Sequence, residues 1–93
     1  MPAPPIDFAN CIWGVYPYLV GKPSIHPYNI NSYVGYAKSV LRCKTGHPLA
    51  QDNVFDGAMY NAVRDMQTMF GVYPVDGHIT ANDWPVIDYL ATH

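Results

Sequence analysis

The sequence predicts an all-α fold, a compact domain of three short helices over residues 31–93 preceded by an extended, aromatic, Pro-rich arm over residues 1–30. Three observations carry this prediction. From Asn31 onward apolar residues recur at spacings of three and four, the signature of one buried helix face. The dipeptides Asp52-Asn53 and Asp76-Gly77 break that pattern as tight turns, because Asn and Gly accept a positive φ. Finally, Pro2, Pro4, Pro5, Pro17, Pro23 and Pro27, with Gly14 and Gly21, deny the opening segment any helix longer than about two turns.

Within the arm, Phe8, Ile12, Trp13, Val15, Tyr16, Tyr18 and Leu19 are too apolar for a free linker. The segment is expected either to pack on the rest of the chain or to expose Ile12 to Val20 as a surface for a partner. The first helix is read from Val34, Ala37, Val40 and Leu41, with Asn31 or Ser32 as N-cap. It should end near Lys44, its basic residues in the last turns, at the break Thr45-Gly46-His47-Pro48. The second helix carries the strongest signal, the stripe Met59, Ala62, Val63, Met66, Phe70, opened after Asp56 and closed by Gly71, and is expected to be the central one. A third short helix starts at Trp84, with Asp83 as N-cap, Pro85 tolerated in the first turn, and Ile87, Leu90 and Ala91 facing inward. Trp84 is expected to pack against Phe55 or Phe70.

Composition narrows the function. A chain of 93 residues that is 49% hydrophobic and 13% charged suits one folded domain rather than a disordered chain. A net charge of −2 with five Lys plus Arg argues against nucleic acid as a partner, since phosphate binding needs a basic surface. The longest apolar patch, Ile12 to Val20, is interrupted by Gly14 and Pro17, and no stretch approaches the roughly 20 apolar residues of a membrane span. The first 21 residues hold no Lys or Arg, so no secretory signal is visible. Cys11 and Cys43 form an even pair that suits one disulfide in an oxidising compartment, or two buried thiols in a reducing one.

Catalysis finds little to work with. All seven acidic residues are Asp, and Asp52, Asp56, Asp76 and Asp83 already have uses in turns and caps, which leaves no evident carboxylate pair for glycoside hydrolysis. His26, His47, His78 and His93 show no i, i+4 pairing that would suggest zinc, and the two cysteines have a better use in each other than as a nucleophile. The expectation is therefore a protein with no catalytic residues, metal or cofactor. Binding suits the residues better. Tyr60, Arg64 and Gln67 share one face of the second helix, and Tyr73 and His78 come from the loop before the third. Rings flanked by amide and basic donors fit the C–H faces and polar groups of a saccharide or peptide ligand. The plainer reading of the same residues is a solvated helix face with Tyr73 half-buried.

A short echo links the two turns: Asp52-Asn53-Val54-Phe55 and Asp76-Gly77-His78-Ile79 each run from a turn, through an apolar residue, into a helix start. With Ala62-Val63-Arg64-Asp65-Met66-Gln67, Gly71-Val72, Val75-Asp76-Gly77 and Asp83-Trp84, the stretch from Val34 to Leu90 resembles the bacterial peptidoglycan-binding domain appended to phage endolysins, amidases and muramidases. The resemblance implies a three-helix, non-catalytic module that binds cell-wall peptidoglycan through its glycan strand or stem peptide. It also implies a phage-encoded chain that works outside the cell, on the bacterial wall or on a virion. Asn53 and Asp56 stand where that family prefers Gly, Thr80 replaces a later Gly, and Met59 and Asp83 occupy positions usually given to Thr. Asn and Asp tolerate left-handed backbone, so these changes bear on the ligand site more than on the fold. The alternative is a virion structural protein that keeps the fold for assembly and docks on neighbouring phage proteins through the Ile12 to Val20 arm, a region the resemblance does not reach.

Overall fold

Helices α1 (Ser32–Lys44), α2 (Gly57–Phe70) and α3 (Trp84–Thr92) make up the frame of a computed structural model that describes residues 6–93. Pro2, Pro4 and Pro5 lie outside the described residues. Among the described residues there is no β-strand; only isolated bridges pair Asp7 with Ile12, Ile25 with Ile79 and Ile30 with Val54, and a single 3-10 turn covers Tyr16–Tyr18. The fold is all-α with three helices, as the periodicities predict.

The helix ends follow from local chemistry. The Asn31 side chain accepts from the Val34 N–H at 3.0 Å and so caps α1, whose last turn holds Arg42 and Lys44 beside the carbonyl-rich end. Asp56 caps α2 by accepting from the Met59 N–H at 2.9 Å, and Gly71, at φ 66°, closes it in the left-handed region. Asp83 departs from expectation. Its backbone is helical rather than extended and its carboxylate makes no cap bond to α3. Pro85 removes one N–H that a cap would receive, and the Asp83 carbonyl already accepts from Val86 and Ile87. The carboxylate turns back instead, accepting from the Thr80 N–H at 2.9 Å and the Thr80 hydroxyl at 3.0 Å.

The helix at the centre is α1, not α2. Every residue from Val34 to Leu41 is buried, because α1 is covered on one side by α3, where Tyr36 meets Trp84 and Asp88, and on another by the residues that precede it, where Tyr36 meets Tyr16. Gly35 shows how close this packing is: a Cβ there would overlap the Asn53 side chain. The α2 stripe buries Met59, Ala62, Val63 and Met66, but Phe70 is 42% exposed, since the inward position of the last turn is held by Gln67.

Residues 11–19 are joined to this core by side chains and by a covalent bond. Cys11 and Cys43 form a disulfide that ties the opening segment to the end of α1; closing a loop across 32 residues stabilises the fold by about 3–4 kcal/mol on chain-entropy grounds. Trp13 and Tyr16 are buried, and the Trp13 indole donates to the Ala91 carbonyl at 3.1 Å. Tyr16 stacks on Tyr36 at 5.4 Å between centroids, and Tyr36 stacks on Trp84 at 6.0 Å. Trp84 therefore finds its ring partners in Tyr36 and, edge-on, Tyr33, rather than in Phe55 or Phe70, and its indole donates to the Pro23 carbonyl at 3.0 Å. Ile12, Val15, Tyr18 and Val20 point the other way and are exposed.

A partly buried polar cluster sits behind this stack. Asp88 accepts from the Lys22 ammonium at 2.8 Å and from the Tyr36 hydroxyl at 2.6 Å. Burial first, and then the bond to Asp88, push the Tyr36 phenol far above its ordinary range.

Candidate functional site

An open groove of about 690 Å³ runs between two short segments, with Pro27, Tyr28 and Ile30 on one side and residues Val54 to Gly57 with Tyr60 on the other. Backbone bonds hold the walls together: Tyr28 N–H donates to the Phe55 carbonyl at 3.1 Å and Phe55 N–H to the Asn29 carbonyl at 3.0 Å. The first wall is a turn in which the Asn29 side chain accepts from the His26 N–H at 2.9 Å. Tyr28 lies in the left-handed region at φ 75°, a costly conformation for a bulky residue, and its ring is 91% exposed. A strained backbone that holds an aromatic ring in water is a feature of binding sites more than of packing.

The second wall is positioned by Lys38. Its side chain is fully buried beneath the turn, and its ammonium donates to Asp52 at 2.6 Å, to the Val54 carbonyl at 2.9 Å and to Asp56 at 3.1 Å. Asp52 also accepts from the Val54 N–H at 3.0 Å, which shapes the turn. The Lys38 hydrogen bond first, and then the Val54 N–H, hold the Asp52 carboxyl below its ordinary range.

The five residues expected to form a ligand surface divide. Tyr60 is half-buried and lines the groove, with its ring against Gly77; a Cβ at Gly77 would overlap that ring, and the φ of 75° there also asks for glycine. Arg64 is exposed, with its guanidinium 5.8 Å from the Tyr60 centroid, and together with Asn61, Asp65, Thr68 and Val75 it lines an adjoining polar depression of about 360 Å³. Asp65 in that depression is also reached by His47 Nε2 at 3.2 Å. His78 is exposed beside Gly77, and its ring lies 5.9 Å from that of His26, at the foot of the first wall. Tyr73 is 74% exposed and lines neither depression.

Gln67 is the correction. It is fully buried, and its amide is spent inside the fold: the nitrogen lies 3.1 Å from Asp76, 2.9 Å from the His78 carbonyl and 3.0 Å from Asp83, while the oxygen accepts from the Asp76 and Gly77 N–H groups at 3.1 and 3.0 Å. Position 67 follows Val63 by one turn and shares its inward face, so Gln67 fastens the loop before α3 to α2 and presents nothing to a ligand. Desolvation pushes the Asp76 carboxyl up, but the His78 N–H and the Gln67 amide that donate to it hold it below its ordinary range overall.

Tyr28, Ile30 and Lys38 were not singled out by sequence. For Lys38 a signal existed, since it lies four residues after Val34 and three before Leu41, on the inward face of α1. The partnership of Tyr28 with Tyr60 depends on a long-range pairing that no local pattern encodes. Among the described residues no three His, Cys or Asp side chains converge as a metal-holding group, and no helix is long and apolar enough to cross a membrane. The arrangement offers aromatic and aliphatic contact in the groove, with amide, hydroxyl and guanidinium groups beside it. Comparison of the chain with protein-family models, with curated proteins and with solved structures finds no match.

Proposed function

We propose that this protein is a non-catalytic module that binds bacterial cell-wall peptidoglycan, encoded by a phage and acting at the wall or on a virion. The observation that carries the reading is the groove with the exposed Tyr28 ring on one wall and Tyr60 on the other. Flat rings over an open channel suit the C–H faces and alkyl segments of wall polymers, and Asn61 and Arg64 supply donors alongside. The resemblance of Val34 to Leu90 to peptidoglycan-binding domains supports the ligand class. The carboxylates support a binding role as well. Asp52 and Asp56 hold Lys38, Asp76 and Asp83 engage Gln67, and Asp88 holds Lys22 and Tyr36, so each of these five has a structural partner. A weak affinity suffices for such a module, because tethering to a wall raises the effective concentration of whatever it is joined to.

The test is a pull-down of the full chain on insoluble peptidoglycan sacculi, with chitin as control polymer and salt varied. Saturable, salt-tolerant binding to sacculi, weakened about tenfold by Tyr28→Ala combined with Tyr60→Ala, is the expected result. A chain that stays in the supernatant refutes the reading.

The exposed side chains of Ile12, Val15, Tyr18 and Val20 favour a second reading, a virion protein that docks on a neighbouring phage protein through this segment. In that case Val20→Asp abolishes incorporation into particles and leaves sacculus binding unchanged.

A further inference from the structure

We infer that the groove between Tyr28 and Tyr60 receives a protonated alkylamine, the free side-chain amine of the diamino acid in a peptidoglycan stem peptide. This rests on the wall-binding reading above and names the part of the polymer that is recognised. Charge complementarity carries it. The one side chain lining the groove that is charged at neutral pH is Asp56. Behind it, Asp52 and Asp56 share the single ammonium of Lys38, so two carboxylates meet one cation and the cluster keeps a net charge of −1. Lys38 is fully buried, whereas both carboxylates are partly exposed and one of them, Asp56, lines the groove, so the groove meets a carboxylate and not the cation.

The N-terminus of α2 borders the same groove at Gly57 and opposes this with roughly half a positive charge. That is smaller than the full negative charge of the cluster, and Asp56 already occupies the cap. Arg64 lines the polar depression and not the groove, and its guanidinium lies over the Tyr60 ring, 5.8 Å from the centroid. The lining therefore favours a cation over an anion. The open ring selects the same chemistry: an ammonium on an alkyl stem is attracted to the face of the exposed Tyr28, while its methylene groups lie against Ile30, Val54 and the part of Tyr60 that lines the groove. A neutral sugar would use the rings but leave the negative charge unanswered.

The experiment compares two forms of one polymer. Sacculi rich in free diamino-acid amines are divided, and one half is N-acetylated with acetic anhydride. The full chain should bind the untreated half and lose affinity for the acetylated half by about three- to tenfold. Equal binding to both halves overturns the inference and leaves wall binding standing; no binding to either half means that the wall-binding reading itself has failed. In solution, a stem pentapeptide with a free lysine amine should shift the amide resonances of Tyr28 and Gly57, and its Nε-acetyl form should shift them less at equal concentration. Saturation of these resonances by a glycan disaccharide but not by the pentapeptide assigns the groove to sugar and overturns the inference. Asp56→Asn keeps a cap-competent side chain, so it should retain the fold and remove the preference for the free amine.

Discussion

Two turns lead into helices, Asp52-Asn53 into α2 and Asp76-Gly77 toward α3, and each is fastened to the preceding helix by one buried polar side chain of different chemistry. Lys38 of α1 holds the first through two carboxylates and a carbonyl. Gln67 of α2 holds the second through two carboxylates, a carbonyl and two backbone N–H groups. In both turns the leading Asp accepts from the N–H two residues on, Val54 in one and His78 in the other. An ammonium can only donate, so the Lys38 clamp engages oxygen atoms alone and neutralises one of its two partly exposed carboxylates. An amide donates and accepts, so the Gln67 clamp satisfies backbone as well as side chains and is closed to solvent. The first turn lines the groove with Val54 to Asp56; the second sets Gly77 against the Tyr60 ring.

The comparison breaks most sharply at Gln67. Gln67→Leu fills the same space but strips acceptors from Asp76 and Gly77 and a donor from buried Asp83, so it should lower stability by about 3–4 kcal/mol in denaturant melts. Lys38→Met should cost less, about 2–3 kcal/mol, because the partners it abandons, Asp52 and Asp56, are partly exposed and water can take its place. If Lys38→Met proves the more damaging of the two, the contrast between the clamps is wrong.

The smallest effect separates them by titration. Asp52 and Asp76 are both held below the ordinary carboxylate value of 3.8. A carboxyl depressed by folding adds stability above its unfolded pKa, and that stability is lost as pH falls through the folded value; both turns should therefore weaken below about pH 4. In Lys38→Met the Asp52 carboxyl should move back up, since its leading cause is gone, while Asp76 stays low. Side-chain carboxyl NMR across pH 2–6 reads both at once, and an unmoved Asp52 would show that Lys38 does not set its charge.

Much of the frame was legible in sequence because its causes are local. The caps Asn31, Asp56 and Gly71 act within one helical turn, and the spacing of Val34, Ala37, Val40 and Leu41 marks one face whatever lies opposite. Local chemistry misled where two local rules competed: Asp83 reads as a cap, but Pro85 withdrew a donor and Thr80 and Gln67 claimed its carboxylate. At the site, helical spacing brought Tyr60 and Arg64 together correctly as neighbours. It also placed Gln67 with them, because a face of spacing four and three is wide and its edge turns inward at position 67.

From sequence alone came the all-α class, the three helices and their ends, and a cysteine pair suited to a bond, since each depends on residues close in the chain or on simple counts. Tertiary structure decided that α1 is the centre, that Trp84 stacks on Tyr36, that Lys38 and Gln67 are clamps, and that Tyr28 faces Tyr60 across a groove. These depend on which distant segments meet. Burial turns the polar groups at such meetings into obligatory partners, and which groups are buried is settled only when the whole chain has packed.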